Sequence, residues 1–411
     1  MNEQSPSSSA PVLSKNLVFL LGFAVAVLAS NLYYAQPLIA LIRESIGLSA
    51  SSSGLIVTLT QVGYGLGVLL LVPLGDLFEN RKLILTMIGV AFVGVVGLGF
   101  VSDIIPYFLA ALVTGLGASC VQIIVPYSAH LTPENIRGRV VGNLMSGLML
   151  GIMLSRPAAS ILADLFSWHA IFYLSGLLLV ILAIALYKML PAREPAPLNT
   201  PYPRLLASMG HLFVRTPVLR RRAIYQACMF GAFSLFWTTA PLYLAGPDFQ
   251  LSQTAIAFFA LAGVAGAISA PFAGRLADKG FSRSATAVAM ISASLSFLIT
   301  HLFAPGSLLS LAILVFAAIL LDAGITANLV LGQRAIFSLR AKYRSRLNGL
   351  YVATIFVGGA LGSFSGAWAY AKGGWVLTSW VGFLFPLVAF IYFGTEWLTG
   401  FQRKKSRKAT A

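Results

Sequence analysis

Arg137-Gly-Arg-Val-Val-Gly142 and, 207 positions further on, Arg344-Ser-Arg-Leu-Asn-Gly349 each open a long apolar run. The same offset carries Gly151, Ser155 and Ala159 onto Gly358, Gly362 and Gly366, and Trp168 onto Trp375. Coincidence of so many uncommon positions at one spacing makes the chain two homologous halves. Gly151 with Ser155, and Gly358 with Gly362, set small residues four apart, a face on which a neighbouring helix can approach closely in lipid. The repeated ladder predicts close contact between the halves.

On either side of these two runs, further apolar segments lie near 17–42, 54–74, 83–101, 107–130, 138–163 and 169–188, then near 223–245, 252–274, 284–303, 306–332, 347–370 and 376–399. Each reaches the ~20 helical residues that cross a hydrocarbon core of about 30 Å, where no water satisfies loose backbone groups. The chain is 58% hydrophobic and only 10% charged over 411 residues. An ordinary soluble domain carries about a quarter charged residues, so lipid is the solvent. The first run is too long for a signal-peptide core and lacks a small-residue cleavage pattern.

The charges orient the chain. With both termini and every second loop in the cytoplasm, 25 of the 28 Lys and Arg fall on that side, leaving Arg43 and Lys372 outside and Arg156 inside a helix. A misplaced helix would scatter them over both faces. The net charge of +16 therefore reports topology. Nucleic-acid binding would need a basic folded surface interleaved with aromatics, which these short clusters are not. Cys120 and Cys228 fall inside apolar runs and read as small packers, with no disulfide framework.

The organisation expected is a disordered cytoplasmic leader at 1–16, a six-helix bundle over 17–190, a cytoplasmic linker at 191–222, a second bundle over 223–400 and a basic cytoplasmic tail at 401–411. The linker opens Pro-rich and closes on Arg220, Arg221 and Arg222. Between them Leu205, Leu206, Met209, Leu212 and Phe213 recur at helical spacing, predicting an amphipathic helix on the inner leaflet.

After the second run comes Pro73-Leu-Gly-Asp76-Leu-Phe-Glu-Asn-Arg81-Lys82, and after the eighth Gly274-Arg-Leu-Ala-Asp278-Lys279-Gly280-Phe-Ser-Arg283. Both resemble the loop signature of the major facilitator superfamily, and the likeness extends over residues 15–400. In the first copy the basic pair stands one residue late and the usual glycine is missing. A closer likeness is to the twelve-helix drug and metabolite:proton antiporter branch. It runs through Asn31-Leu-Tyr-Tyr34-Ala-Gln36-Pro37 and through Gly147-Leu-Met-Leu-Gly151-Ile-Met-Leu-Ser155-Arg156-Pro157, where Ser155 and Arg156 replace that branch's Gly-Pro. The resemblance implies an all-α integral membrane fold with twelve transmembrane helices in two pseudo-symmetric six-helix bundles. It also implies alternating access, proton-coupled efflux, and a latch formed by Asp76, Arg81, Lys82, Asp278, Lys279 and Arg283. An Asp at a helix terminus can accept from a neighbouring helix's amides and pair with Arg or Lys in one conformation.

Only Arg156 and Asp322 lie deep inside predicted helices, where an ionisable residue costs about 2.5–3.5 kcal/mol on insertion. At 1.5 Å per residue they sit roughly 12 Å and roughly 24 Å from the outer ends of their helices, too far apart for a permanent bidentate pair. Asp322 is the candidate proton-coupling residue, with Arg156 its modulator. In the family the first, fourth, seventh and tenth helices line the cavity. Asn31, Tyr34, Gln122, Trp237, Tyr243, Asp322 and Thr326 are therefore substrate-cavity candidates, with Gln61 and Tyr64 on the second helix.

His130, His169, His211 and His301 lie apart, and there is no H-x-x-x-H, cysteine cluster or phosphate loop, so an enzyme, a metal site and a cofactor are all unexpected. A small organic solute, protons and the bilayer are the expected partners of a monomer in the inner membrane. An uptake symporter, an uncoupled facilitator and a non-transporting receptor share the same architecture. Drug, sugar and amino-acid derivative all suit one Arg, one Asp, amides and aromatics.

Overall fold

The computed structural model describes residues 14–195, 201–266, 269–339 and 344–409. Most of the leader at 1–16, the middle of the Pro-rich linker and the end of the basic tail lie outside them. Side chains are described as far as residue 396, so the remainder of the tail carries no side-chain account.

Helices α1 (Lys15–Ser30), α2 (Ile39–Ser45), α3 (Leu55–Leu70), α4 (Asn80–Phe100), α5 (Ile104–Ala118), α6 (Val121–His130), α7 (Glu134–Leu165) and α8 (Ala170–Met189) form the first half. After α9 (Tyr202–Arg215) come α10 (Pro217–Ala245), α11 (Gln253–Ala260), α12 (Ala262–Gly266), α13 (Ser269–Asp278), α14 (Ser282–Ile299), α15 (Leu308–Phe337) and α16 (Arg344–Ala409). Among the described residues ten helical stretches are long and apolar enough to cross a membrane; α1 is shorter, and one stretch, Ser345–Glu396, covers 52 residues. That long helix is broken inside. Gly373 and Gly374 leave helical geometry, and Gly374 sits at φ 59°, a left-handed conformation that costs a residue with a Cβ and not glycine.

Two cores follow the two halves. One is built wholly from residues between Leu17 and Leu190. The other gathers residues between Leu219 and Phe393, and draws in Tyr33, Tyr64 and Val68 from the first half and Met209 from the linker.

The glycine ladder serves each half separately, which corrects the expectation of contact between them. A Cβ on Gly147 or Gly151 would strike the backbone of Gly22 or Ala26 in α1, and one on Gly358 or Gly362 that of Ala227 or Gly231 in α10. Ser155 keeps its hydroxyl on its own helix, donating to the Ile152 carbonyl at 2.7 Å. Close backbone approach makes these seams tight. Between the halves side-chain hydrogen bonds are prominent, with Thr58 and Ser363 hydroxyls at 2.7 Å and Gln61 Nε2 donating to Ser234 Oγ at 2.6 Å, beside one close approach where a Cβ on Gly54 would strike the Ser363 carbonyl.

The amphipathic linker helix exists as α9, but its apolar face is covered by protein. Leu205 and Met209 are buried, Tyr202 donates to the Leu70 carbonyl at the end of α3, and Arg346 donates to Ser208 Oγ at 3.4 Å. The helix thus touches both halves, because the apolar surface it needs is offered where α3, α10 and α16 converge rather than only by lipid.

Candidate functional site

The break after α1 sets the site. Pro37 has no amide to continue a helix, and residues 31–38 run as turns. Successive side chains there point in different directions. Tyr34 turns into the first half, edge-on to Phe172, and Asn31 is tied between the Val27 carbonyl and Ser175 Oγ, both within that half. Neither faces the seam between halves as a cavity residue would. Their neighbours do: the ring of Tyr33 meets Phe233 edge-on, and Gln36 Oε1 accepts from Arg156 Nε at 2.7 Å.

Arg156 precedes Pro157 in the last third of α7 and is 2% exposed. Its guanidinium lies 4.4 Å from the ring centre of Trp237, 5.0 Å from Phe233 and 5.1 Å from Tyr33. Delocalised charge over aromatic faces is worth about 2 kcal/mol or more when desolvated. Asp322, 6% exposed in the middle of α15, accepts from Trp237 Nε1 at 3.0 Å. Among the described residues no ion pair joins Arg156 to Asp322. One indole carries both instead: its face takes the cation and its N–H the carboxylate. Gly263 in α12 leaves room there, for a Cβ would stand 2.8 Å from Asp322 Oδ2.

The other candidates fall into separate groups. Gln61 joins Ser234, and accepts at Oε1 from Ser363 Oγ at 3.3 Å. Tyr64 packs on Phe356 at 4.3 Å and accepts from Gln122, whose Oε1 in turn accepts from Asn348 Nδ2 at 3.3 Å. Both groups bridge the halves. Tyr243 stacks on Trp375 at 4.8 Å, away from the Arg156 cluster. Thr326 is half-buried, and no hydrogen bond among the described residues links it to Asp322. The tenth run's stronger polar contact is Asn328, which donates to Gln226 Oε1 at 2.7 Å. Gln36, Tyr33, Phe233, Gln226 and Asn328 were not among the cavity candidates of the sequence reading. The turns at 31–38 break the helical register, so Tyr33 and Gln36, not Tyr34, meet Phe233 and Arg156.

The loop motifs also find partners other than those expected. Asp278 pairs with Arg334 at the end of α15, both exposed, and not with Lys279 or Arg283. Arg81 donates to the Tyr187 carbonyl and covers the Tyr187 ring at 5.0 Å, while Glu79 caps α4 by accepting from the amides of Arg81 and Lys82. Asp76 is half-buried, and among the described residues no ion pair joins it to Arg81 or Lys82. Arg81, five residues after Asp76, turns its side chain onto Tyr187 of α8.

This architecture, two helical halves meeting at a polar seam, is that of a membrane transporter. Residues 18–336 match the Major Facilitator Superfamily, and the chain is a member of that family. It is 37% identical over 395 residues to the uncharacterized transporter YgaY of Escherichia coli O157:H7, covering 96% of this chain and 98% of that one. It is 30% identical to the probable transporter SCO4007 of Streptomyces coelicolor, over 90% and 86% of the two chains. In structure it resembles the nucleoside transporter NupG, with a TM-score of 0.73 at 12% identity over 92% and 99% of the chains, a likeness of fold alone.

Proposed function

We propose that this chain is a secondary active transporter that moves a small organic solute by alternating access, coupled to protons through Asp322. The observation that carries the reading is the shared indole: Arg156 from one half and Asp322 from the other both rest on Trp237. The cation that shares the indole with this carboxyl belongs to the opposite half, so rocking of the halves changes the charge beside Asp322 and with it the balance between its two protonation states. Counting α1 as a span and dividing α16 at Gly373 and Gly374 gives twelve passes. With that count the charge distribution supports cytoplasmic termini, an inner-membrane location and the bundle boundaries read from the sequence.

Efflux in exchange for protons is supported by the resemblance to the efflux branch and by a Streptomyces lividans relative, 24% identical over 267 residues, named a chloramphenicol resistance protein. Co-movement of solute and proton is the second reading, favoured by an incompletely partnered guanidinium at Arg156. A growth-inhibition panel with the gene deleted and overexpressed identifies a solute, and proteoliposome flux then tests coupling. Asp322→Asn should lose accumulation driven by a pH gradient and keep solute exchange. Accumulation equal to the unaltered protein's would overturn the coupling role and leave a facilitator.

A further inference from the structure

The donors around Arg156 are not used up. Arg156 Nη2 and Gln36 Nε2 are both buried and have no hydrogen-bond partner among the described residues, although the two side chains are joined through Arg156 Nε and Gln36 Oε1. Gln36 is 0% exposed and Arg156 2%, so water outside the protein does not satisfy them. A guanidinium carries five N–H donors in a planar fork and no acceptor, and the amide nitrogen of Gln offers two more donors. What completes such a set is an acceptor-only group. The aromatic rings of Tyr33, Phe233 and Trp237 beside the guanidinium supply flat apolar walls.

We propose that Arg156 and Gln36 form the anion subsite of the transport cavity, and that the solute is a carboxylate or sulfonate on a flat apolar body. The inference rests on the proton coupling proposed above, in its co-moving form. The charge balance follows directly. With Asp322 ionised, the positive charge of Arg156 is already offset within the protein, and a second anion would meet repulsion. With Asp322 protonated, one uncompensated guanidinium remains to take the solute, so anion and proton enter together and the loaded site is electrically the same as the empty one. The titratable groups that act on Asp322 from the packed elements are Arg156 in α7 and Tyr33 in the turn after α1. Trp237 and Gly263, which also lie against Asp322, carry no charge.

The test uses the full chain in lipid nanodiscs, with benzenesulfonate and benzoate as probes and benzenesulfonamide and benzamide as their neutral counterparts. Benzenesulfonate is ionised at every working pH, so any pH dependence of its binding belongs to the protein. Titration of the thermal unfolding midpoint should show stabilisation by both anions and none by the amides. Affinity for benzenesulfonate should fall as pH rises, by up to about tenfold per unit where one proton is linked. Asp322→Asn should bind it tightly and without that dependence. Arg156→Gln should lose it, and Gln36→Leu, which leaves the charge in place and keeps the test open if Arg156→Gln does not fold, should weaken it by about tenfold. Equal response to the anions and their amides, or no response to any of the four, would overturn the anion subsite. If Asp322→Asn still uncoupled flux in that case, the coupling reading would stand without it. Anion binding indifferent to pH and to Asp322→Asn would overturn the shared entry of anion and proton.

Discussion

The seams inside each half and the seam between the halves differ in their main material, although Gly54 also brings backbone close to Ser363 across the halves. Inside, α7 lies on α1 and α16 on α10 through glycines whose missing side chains let backbone meet backbone. Between the halves, Gln61, Ser234, Thr58 and Ser363 meet through side-chain hydrogen bonds, and Arg156 meets Trp237 through a ring face. A backbone-to-backbone seam has one register and no graded way to open. Polar side chains can exchange partners one at a time at little net cost, since hydrogen bonds between membrane helices average only about 0.6 kcal/mol. The contrast suits rigid halves that move against each other.

The largest effect should follow from breaking an inner seam. Gly151→Val and Gly358→Val each drive a branched side chain into a carbonyl of the partner helix, Ala26 or Ala227. Overpacking of this kind costs about 1–3 kcal/mol and more where backbone must move. Both variants should show a depressed unfolding midpoint and poor monodispersity in detergent. Gly89→Val, in α4 with nothing within 4 Å of its Cβ position, should leave both near the unaltered protein's. If Gly151→Val were as stable as Gly89→Val, the seam would not be what holds the half together.

A smaller effect is expected at the seam between halves. Gln61→Leu removes the bonds to Ser234 and Ser363 and leaves two hydroxyls that can turn to backbone carbonyls, as Ser363 already does toward Ala360 at 3.2 Å. The unfolding midpoint should shift little, by the equivalent of about 1 kcal/mol. Transport rate should change more than stability does, because the bond belongs to one arrangement of the halves. A large loss of stability with unchanged rate would reverse that assignment.

The sequence made the architecture legible because its signals are long: apolar runs, a lopsided distribution of Arg and Lys, and a repeat at constant offset. It also singled out Arg156, Trp237 and Asp322, since a charge at membrane depth stands out against apolar neighbours. Partner choice was not legible. The ladder at Gly151 and Gly358 announces close packing but carries no mark of which helix it meets, and an inner seam fits as well as an outer one. Tyr34 stood among the expected cavity residues and Tyr33 did not, and the chain turns after Ser30, where helical spacing no longer says which side chain faces the seam. Arg334 was missed as the partner of Asp278 because it lies 56 residues away, on a helix end with no motif of its own.

The smallest effect on stability, and the sharpest test of the comparison, concerns that ion pair. Asp278 and Arg334 are both well exposed, with side chains at 66% and 49%, so their attraction is screened and worth about 0–1 kcal/mol. Arg334 also donates to the Gly274 carbonyl at 3.3 Å, so it ties the end of α15 to the end of α13 within one half. If the pair were only a staple of that half, Asp278→Asn would change neither stability nor flux by much. A latch differs, because it shifts the balance between two conformations: a bias of about 1.4 kcal/mol changes their ratio tenfold while barely moving an unfolding midpoint. We expect Asp278→Asn to remain folded with flux strongly reduced. The exchanged pair, Asp278→Arg with Arg334→Asp, should recover part of the flux if mutual attraction is what matters. Full flux in Asp278→Asn would return the motif to a topological role, and would class this exposed contact with the static seams inside the half.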